Sequence, residues 1–144
     1  MFVKFWGVRG SIPTPEHSSR IYGGNTSCVE VRTDDGLFIL DAGTGIRRLG
    51  ADLMGRGLQN LNINFLFSHP HWDHIQGFPF FTPAYVPGTT LNVYDVGSDH
   101  RIADLLSGQM SSGYFPVDFK DLGGNVNAQQ LEEGHQTIDG VTDR

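Results

Sequence analysis

The chain has 144 residues, enough for one domain with a real core and too few for two ordinary ones. Charged residues make up 18% and aromatic ones 11%, no apolar run is long enough to cross a membrane, and Met1–Trp6 lacks a signal-peptide pattern, so a soluble, cytoplasmic protein is expected. A formal net charge of −6 without a basic block argues against broad electrostatic binding of nucleic acid, and the single cysteine, Cys28, excludes an internal disulfide and fits a reducing compartment.

Phe2 to Val8 is apolar and aromatic and predicts a strand. Residues 9 to 24 hold Pro13, Pro15, Gly23 and Gly24 and predict a surface loop. Thr26–Thr33, rich in β-branched residues, and Leu37–Leu40 flank Asp34-Asp35-Gly36 and predict a β-hairpin. A helix follows over roughly Thr44–Arg56, with Ile46, Leu49, Leu53 and Met54 on one face and Arg47, Arg48 and Asp52 on the other. Gly55 and Gly57 end it. Asn62–Phe67 and Leu91–Val96 predict two more strands, and Ser98–Met110 a second amphipathic helix with Ile102, Leu105 and Leu106 inward. From Ser111 the pattern weakens. The order predicts an α/β domain, a mixed sheet with helices on one face and the other face left open.

The chemistry lies after the Asn62–Phe67 strand, in His69-Pro70-His71-Trp72-Asp73-His74. His69 and His71 are two apart, so an extended backbone points both the same way, and they can grip one ion together. Asp73 and His74 follow as the chain turns and can face a second position. Imidazole and carboxylate are the usual ligands of catalytic zinc, and such sites keep a position open for water. Pro70 stiffens the loop, and Trp72 is expected to pack beneath it. Phe78, Phe80, Phe81 and Tyr85 follow, as core or as the wall of a substrate cleft; the sequence leaves both open. Cys28 reads as a buried apolar residue. Gly43-Thr44-Gly45 begins like a dinucleotide fingerprint, but position 48 is Arg, so nucleotide-cofactor binding is discounted.

The histidine run resembles the HxHxDH signature of the metallo-β-lactamase fold superfamily. Leu40-Asp41-Ala42-Gly43-Thr44-Gly45 resembles that superfamily's aspartate-glycine motif. Phe5-Trp6-Gly7-Val8-Arg9-Gly10-Ser11-Ile12-Pro13 and Tyr22-Gly23-Gly24-Asn25-Thr26-Ser27-Cys28 resemble a bacterial branch near ribonuclease Z and the cyclic-nucleotide and phosphonate-pathway phosphodiesterases. The resemblance implies that His69 and His71 bind a first metal and Asp73 and His74 a second. It implies that Asp73 also orients or deprotonates the attacking water, and that Asp41 supports the histidine loop. Read locally, Asp41 is instead a helix N-cap before Thr44. The implied cofactor is a pair of Zn²⁺ ions, with Mn²⁺ or Fe as substitutes, since His and Asp suit all three.

The family fold has two αβ halves packed sheet on sheet, and its complete site takes a histidine after a later strand, a bridging aspartate and a final histidine from the second half. Here His17, His100 and His135 are the histidines outside the motif, and none fits those places: His135 precedes an expected strand, His17 lies in the early loop and His100 at a helix start. Asp139 and Asp143 read as turn residues. The expectation is one half of an αββα sandwich, a single truncated domain over 1–144. Its parent is expected to be a metal-dependent hydrolase, a phosphodiesterase using activated water on a small-molecule or nucleotide phosphodiester, with no membrane partner. The competing expectation is an inactive metal-binding fragment or interaction module, able to form a homodimer through its exposed sheet face.

Overall fold

The computed structural model describes residues 1–96, 101–132 and 134–142. Six strands, β1 (Phe2–Gly7), β2 (Cys28–Arg32), β3 (Leu37–Leu40), β4 (Asn62–Leu66), β5 (Thr90–Val96) and β6 (Asn125–Leu131), form one sheet in sequential order. β1–β2 and β2–β3 are antiparallel, as the Asp34-Asp35-Gly36 turn demands, and β3–β4, β4–β5 and β5–β6 are parallel. The parallel steps place the carboxyl ends of β3 and β4 side by side, with Leu40 opposite Leu66. Asp41 therefore emerges next to Phe67 and Ser68, which is how two distant stretches of sequence share one site.

Helix α1 (Ile46–Gly55) starts two residues later than expected and buries Ile46, Leu49 and Leu53 completely. Met54 is only half-buried, and Arg47 and Arg48 are exposed. Helix α2 (Trp72–Ile75) is a single turn inside the histidine motif, and α3 (Ile102–Gln109) buries Ile102 and Leu106, with Leu105 half-buried. The expected start of α3 at Ser98 lies outside the described residues. α1 and α3 cover the face bearing Cys28, Ile39, Ile63, Phe65, Leu91 and Val93, all fully buried. Glu30 is also fully buried there; Trp6 Nε1 donates to it at 2.9 Å and Arg32 pairs with it at 2.9 Å, which offsets the cost of burying its charge.

Two features depart from expectation. The stretch from Ser111 contains β6, whose sequence Asn-Val-Asn-Ala-Gln-Gln-Leu has no apolar alternation. It is an edge strand held by its ladder to β5, and Val126 is the residue it packs against the core. A short hairpin, β7 (Thr137–Ile138) and β8 (Val141–Thr142), then folds back over part of the face expected to be open. Asp139 stands at its turn with φ +47°, as a turn residue should, and its carboxylate accepts from Asn62 Nδ2 at 3.0 Å and Asn64 Nδ2 at 2.6 Å. Asn92 Nδ2 donates to both Asn62 and Asn64, and Asn127 Nδ2 to Asn92, so an asparagine ladder crosses three strands. Ile138 and Val141 lie across a cavity from Phe38, Leu40 and Leu66. Val3 and Phe5 of β1 stay exposed.

Candidate metal centre

The motif begins where β4 ends. Beneath it, Phe65 packs against the rings of Phe67, Phe78 and Phe81 at 5.6–5.9 Å, a cluster that fixes the floor of the loop. Ala42 N–H donates to His74 O at 2.7 Å, Gly77 N–H to Ala42 O at 2.9 Å and Gly43 N–H to Ser27 O at 2.8 Å. The Asp41–Gly43 segment is thus threaded between the residues that lead into β2 and the motif. Asp41 adopts φ +61°, a left-handed conformation that non-glycine residues take up only where their surroundings enforce it.

The Asp41 side chain is buried, and it makes no helix cap; the N-cap of α1 is Gly45. Its Oδ1 accepts from Ser68 N–H at 2.8 Å, its Oδ2 from Ser27 Oγ at 3.0 Å, and Oδ2 lies 2.7 Å from His74 Nδ1. An ionised carboxylate only accepts, so His74 Nδ1 carries a proton, and in the neutral ring Nε2 keeps the lone pair. Ser68 Oγ sits 2.9 Å from Asp41 Oδ1 and 3.1 Å from His69 Nδ1. The hydroxyl has one proton and gives it to the carboxylate. It therefore accepts from His69 Nδ1, and His69 too presents a bare Nε2. Ser68 and Ser27 carry no signal in the sequence that would single them out. Only the aspartate-glycine pattern hinted at a support here.

Asp73 is held from the other side. Ser11, at φ +71° in the early loop, donates its N–H to Asp73 Oδ2 at 2.8 Å. That bond, with weaker help from His74 and His69 and against a partial opposing effect of burial, keeps the Asp73 carboxyl below the ordinary aspartate range. The stabilisation from this tie is present above the ordinary aspartate range and is lost as pH falls through the lowered value. The loop over residues 9–24 is therefore part of the site rather than a bystander.

The structure brings all four expected donors together. Ring centroids of His69 and His71 are 4.6 Å apart and those of His69 and His74 are 4.0 Å apart. His74 Nε2 lies 3.4 Å from Asp73 Oδ2. Among the described residues no group of three or more His, Cys, Asp or Glu converges at the spacing of a single ion. The donor types present, imidazoles beside the Asp73 carboxylate, suit a borderline divalent cation. His17 is exposed in a short 3₁₀ turn, 3.3 Å from Arg20 Nη2, and His135 is exposed ahead of β7. His100 and Asp143 lie outside the described residues.

Two expectations change. Trp72 does not pack under the loop; it is 77% exposed at the first position of α2, and Ile75 is the residue that this single turn buries. Of the aromatics after the motif, Phe78 and Phe81 are fully buried core, Tyr85 is half-buried with its hydroxyl donating to Pro79 O at 2.6 Å, and Phe80 alone faces outward. Cys28 is core as expected. Burial, reinforced by the carboxylates of Asp41 and Glu30, pushes its thiol far up. The folded chain is expected to leave Cys28 unreacted with Ellman's reagent at pH 8 and to yield one equivalent on unfolding; prompt labelling of the native chain would contradict this packing.

A mixed sheet with histidines clustered after β4 and a buried aspartate behind them makes this an α/β domain with a candidate metal centre at one end of its sheet. Residues 21–141 match the family model of the metallo-beta-lactamase superfamily, and the chain belongs to that superfamily, whose members use divalent metal ions. Its fold is similar to that of the short form of human tRNase Z, with 21% identity, TM-score 0.56, and coverage of 92% of this chain and 46% of that one. It is also similar to a diphosphatase of the PhnP family, with 17% identity, TM-score 0.61, and coverage of 94% and 53%. The chain spans about half the length of these solved structures. No curated protein matches the sequence. No helix among the described residues is long and apolar enough to cross a membrane.

Proposed function

We propose that this chain carries the histidine-rich half of the centre of a metal-dependent hydrolase whose substrates are phosphodiesters. The observation that carries the reading is the shared clamp of Asp41 and Ser68, which turns the Nε2 atoms of His69 and His74 outward beside the Asp73 carboxylate. His69 and His71 would hold one ion and Asp73 and His74 a second, with zinc favoured by the imidazole-rich set and manganese or iron as alternatives. Such ions supply Lewis-acid activation of water and of phosphoryl oxygens. Asp73, held ionised by Ser11, is placed to accept and orient a proton of the attacking water. Asp41 keeps the imidazoles in one tautomer and one orientation, the task outer partners perform at metal sites. Two of the similar structures are by name a tRNase and a diphosphatase, which favours phosphorus-centred substrates. The lone, buried thiol suits a reducing compartment such as the cytoplasm.

Two protein ligands per ion is one fewer than catalytic zinc sites use, so full turnover calls for donors beyond these four, and the 144 residues alone are expected to be slow or inactive. Equilibrium dialysis against zinc tests the site directly. His71→Ala is expected to weaken uptake by at least about tenfold, the scale on which even outer partners matter; equal uptake by both proteins would contradict it. In excess zinc, any hydrolysis of bis-p-nitrophenyl phosphate is expected to stop with His71→Ala and with EDTA. Turnover surviving both would remove the metal from the reaction.

A further inference from the structure

Beside the motif lies a cleft of about 640 Å³ that the metal reading does not use. One wall is the motif itself, through Pro70 and Trp72; the other is Phe80 with Tyr114 and Phe115, beyond α3. Three of these rings are turned to solvent: Trp72 is 77%, Phe80 55% and Tyr114 84% exposed. Large aromatics grouped in the open are unusual on a protein surface and mark places where something apolar docks. Phe80 is not loose. Its ring stands edge-to-face on Phe115, 5.5 Å between centroids at 87°, so its own outer surface is held in place. Gln109, on the cleft's floor, is fixed by donating to Ile75 O at 3.0 Å.

The charge of the cleft narrows the occupant. Its described lining contains no Lys, Arg or His, and its one acidic side chain is the Asp104 carboxylate. An anion is therefore not held in the cleft, whereas a flat uncharged ring with N–H donors suits both the aromatic surfaces and Asp104. We propose that this cleft receives the nucleobase of a nucleotide substrate, stacked against Trp72, Phe80 and Tyr114, while the attached phosphate lies over His69–His74. The proposal rests on the metal-centre reading for the phosphate end and on the cleft alone for the base. Stacking of a base on an aromatic side chain, lost on substitution by alanine, changes affinity by roughly five- to a hundredfold, so the subsite is large enough to set substrate preference.

The two indole N–H resonances make the test direct. Trp6 donates to Glu30 inside the fold, and Trp72 stands in the cleft, so Trp6 serves as the internal control. The labelled chain, with zinc, is titrated with AMP and with ribose 5-phosphate, which carries the same phosphate and sugar without the base. AMP is expected to shift Trp72 but not Trp6 and to bind about tenfold tighter than ribose 5-phosphate, and Tyr114→Ala and Phe80→Ala are each expected to remove most of that advantage. Both variants replace exposed rings, and an otherwise unchanged spectrum verifies their folding. Absence of a Trp72 shift with AMP, or equal binding of the two ligands, overturns the proposal. If the two ligands bind equally and His71→Ala abolishes both, the metal-centre reading stands and the cleft proposal falls. If AMP still shifts Trp72 in His71→Ala and zinc leaves both proteins unmoved, the cleft stands and the metal-centre reading falls.

Discussion

Replacing Asp41 by alanine is expected to destabilise the fold by about 3 kcal/mol, because it strips a shared, buried acceptor from several donors at once. The Ser68 amide, the Ser27 and Ser68 hydroxyls and His74 Nδ1 all point at that carboxylate, and the half-buried Ser27 and His74 would lose their partner inside the fold. The strained φ of +61° at residue 41 would also lose the bonds that enforce it. Asp41→Asn keeps the shape but turns an NH₂ group toward donors, so it is expected to recover little. Urea unfolding of the three proteins measures this. A loss below about 1 kcal/mol for alanine would mean that the clamp is incidental to the fold. Zinc affinity should fall in the same variants by about ten- to a hundredfold, the usual consequence of removing a support behind a ligand.

Gly43→Ala is expected to do comparable damage for a different reason. A Cβ at residue 43 would stand 2.3 Å from Asp73 O, 2.5 Å from Thr26 Oγ1 and 2.7 Å from Ser27 O. Two of these are backbone atoms on separate elements, so relief requires moving either the residues that lead into β2 or the helix that carries Asp73. Overpacking of this kind costs about 3 kcal/mol at its upper range. The loss of stability should be accompanied by weaker zinc binding, since one of the displaced elements bears two of the candidate ligands. Gly10→Ala is the matched control: its Cβ would meet nothing within 4 Å, and near-wild-type stability is expected. If Gly43→Ala were equally mild, the close weave of this segment with the motif would be refuted.

Both variants probe contacts that only partly show in the sequence. The hairpin, both long helices and the other three apolar strands were legible because burial on one face imposes period 2 or 3.6 on the side chains. β6 was not, since an edge strand of Asn, Ala and Gln is held by its backbone ladder, by Val126 and by the Asn127 bond to Asn92 rather than by an apolar face. The same blindness hid the asparagine ladder and the hairpin that Asp139 pins over the second face. At the site, the four candidate ligands stood out by their spacing, and the support role of Asp41 came only from the resemblance, since its local sequence reads as a helix cap. Ser68, Ser27 and the Ser11 amide were not, because a serine or a backbone N–H acquires its role from position rather than type. Trp72 was misread for a related reason. Hydrophobicity predicts burial on average, and α2 is too short to bury more than Ile75.

Asp41 and Ser68 hold His69 and His74 with protonated Nδ1 atoms, leaving the Nε2 atoms of the neutral rings free to meet a cation. Side-chain nitrogen correlation spectra of the labelled protein at pH 7.5, recorded with and without saturating zinc, measure this without recourse to turnover. Both histidines are expected to be Nδ1–H tautomers before zinc is added, zinc is expected to shift their Nε2 resonances, and Asp41→Asn is expected to scramble the tautomers. Nε2–H tautomers in the metal-free protein, or Nε2 resonances that ignore zinc, would contradict this arrangement.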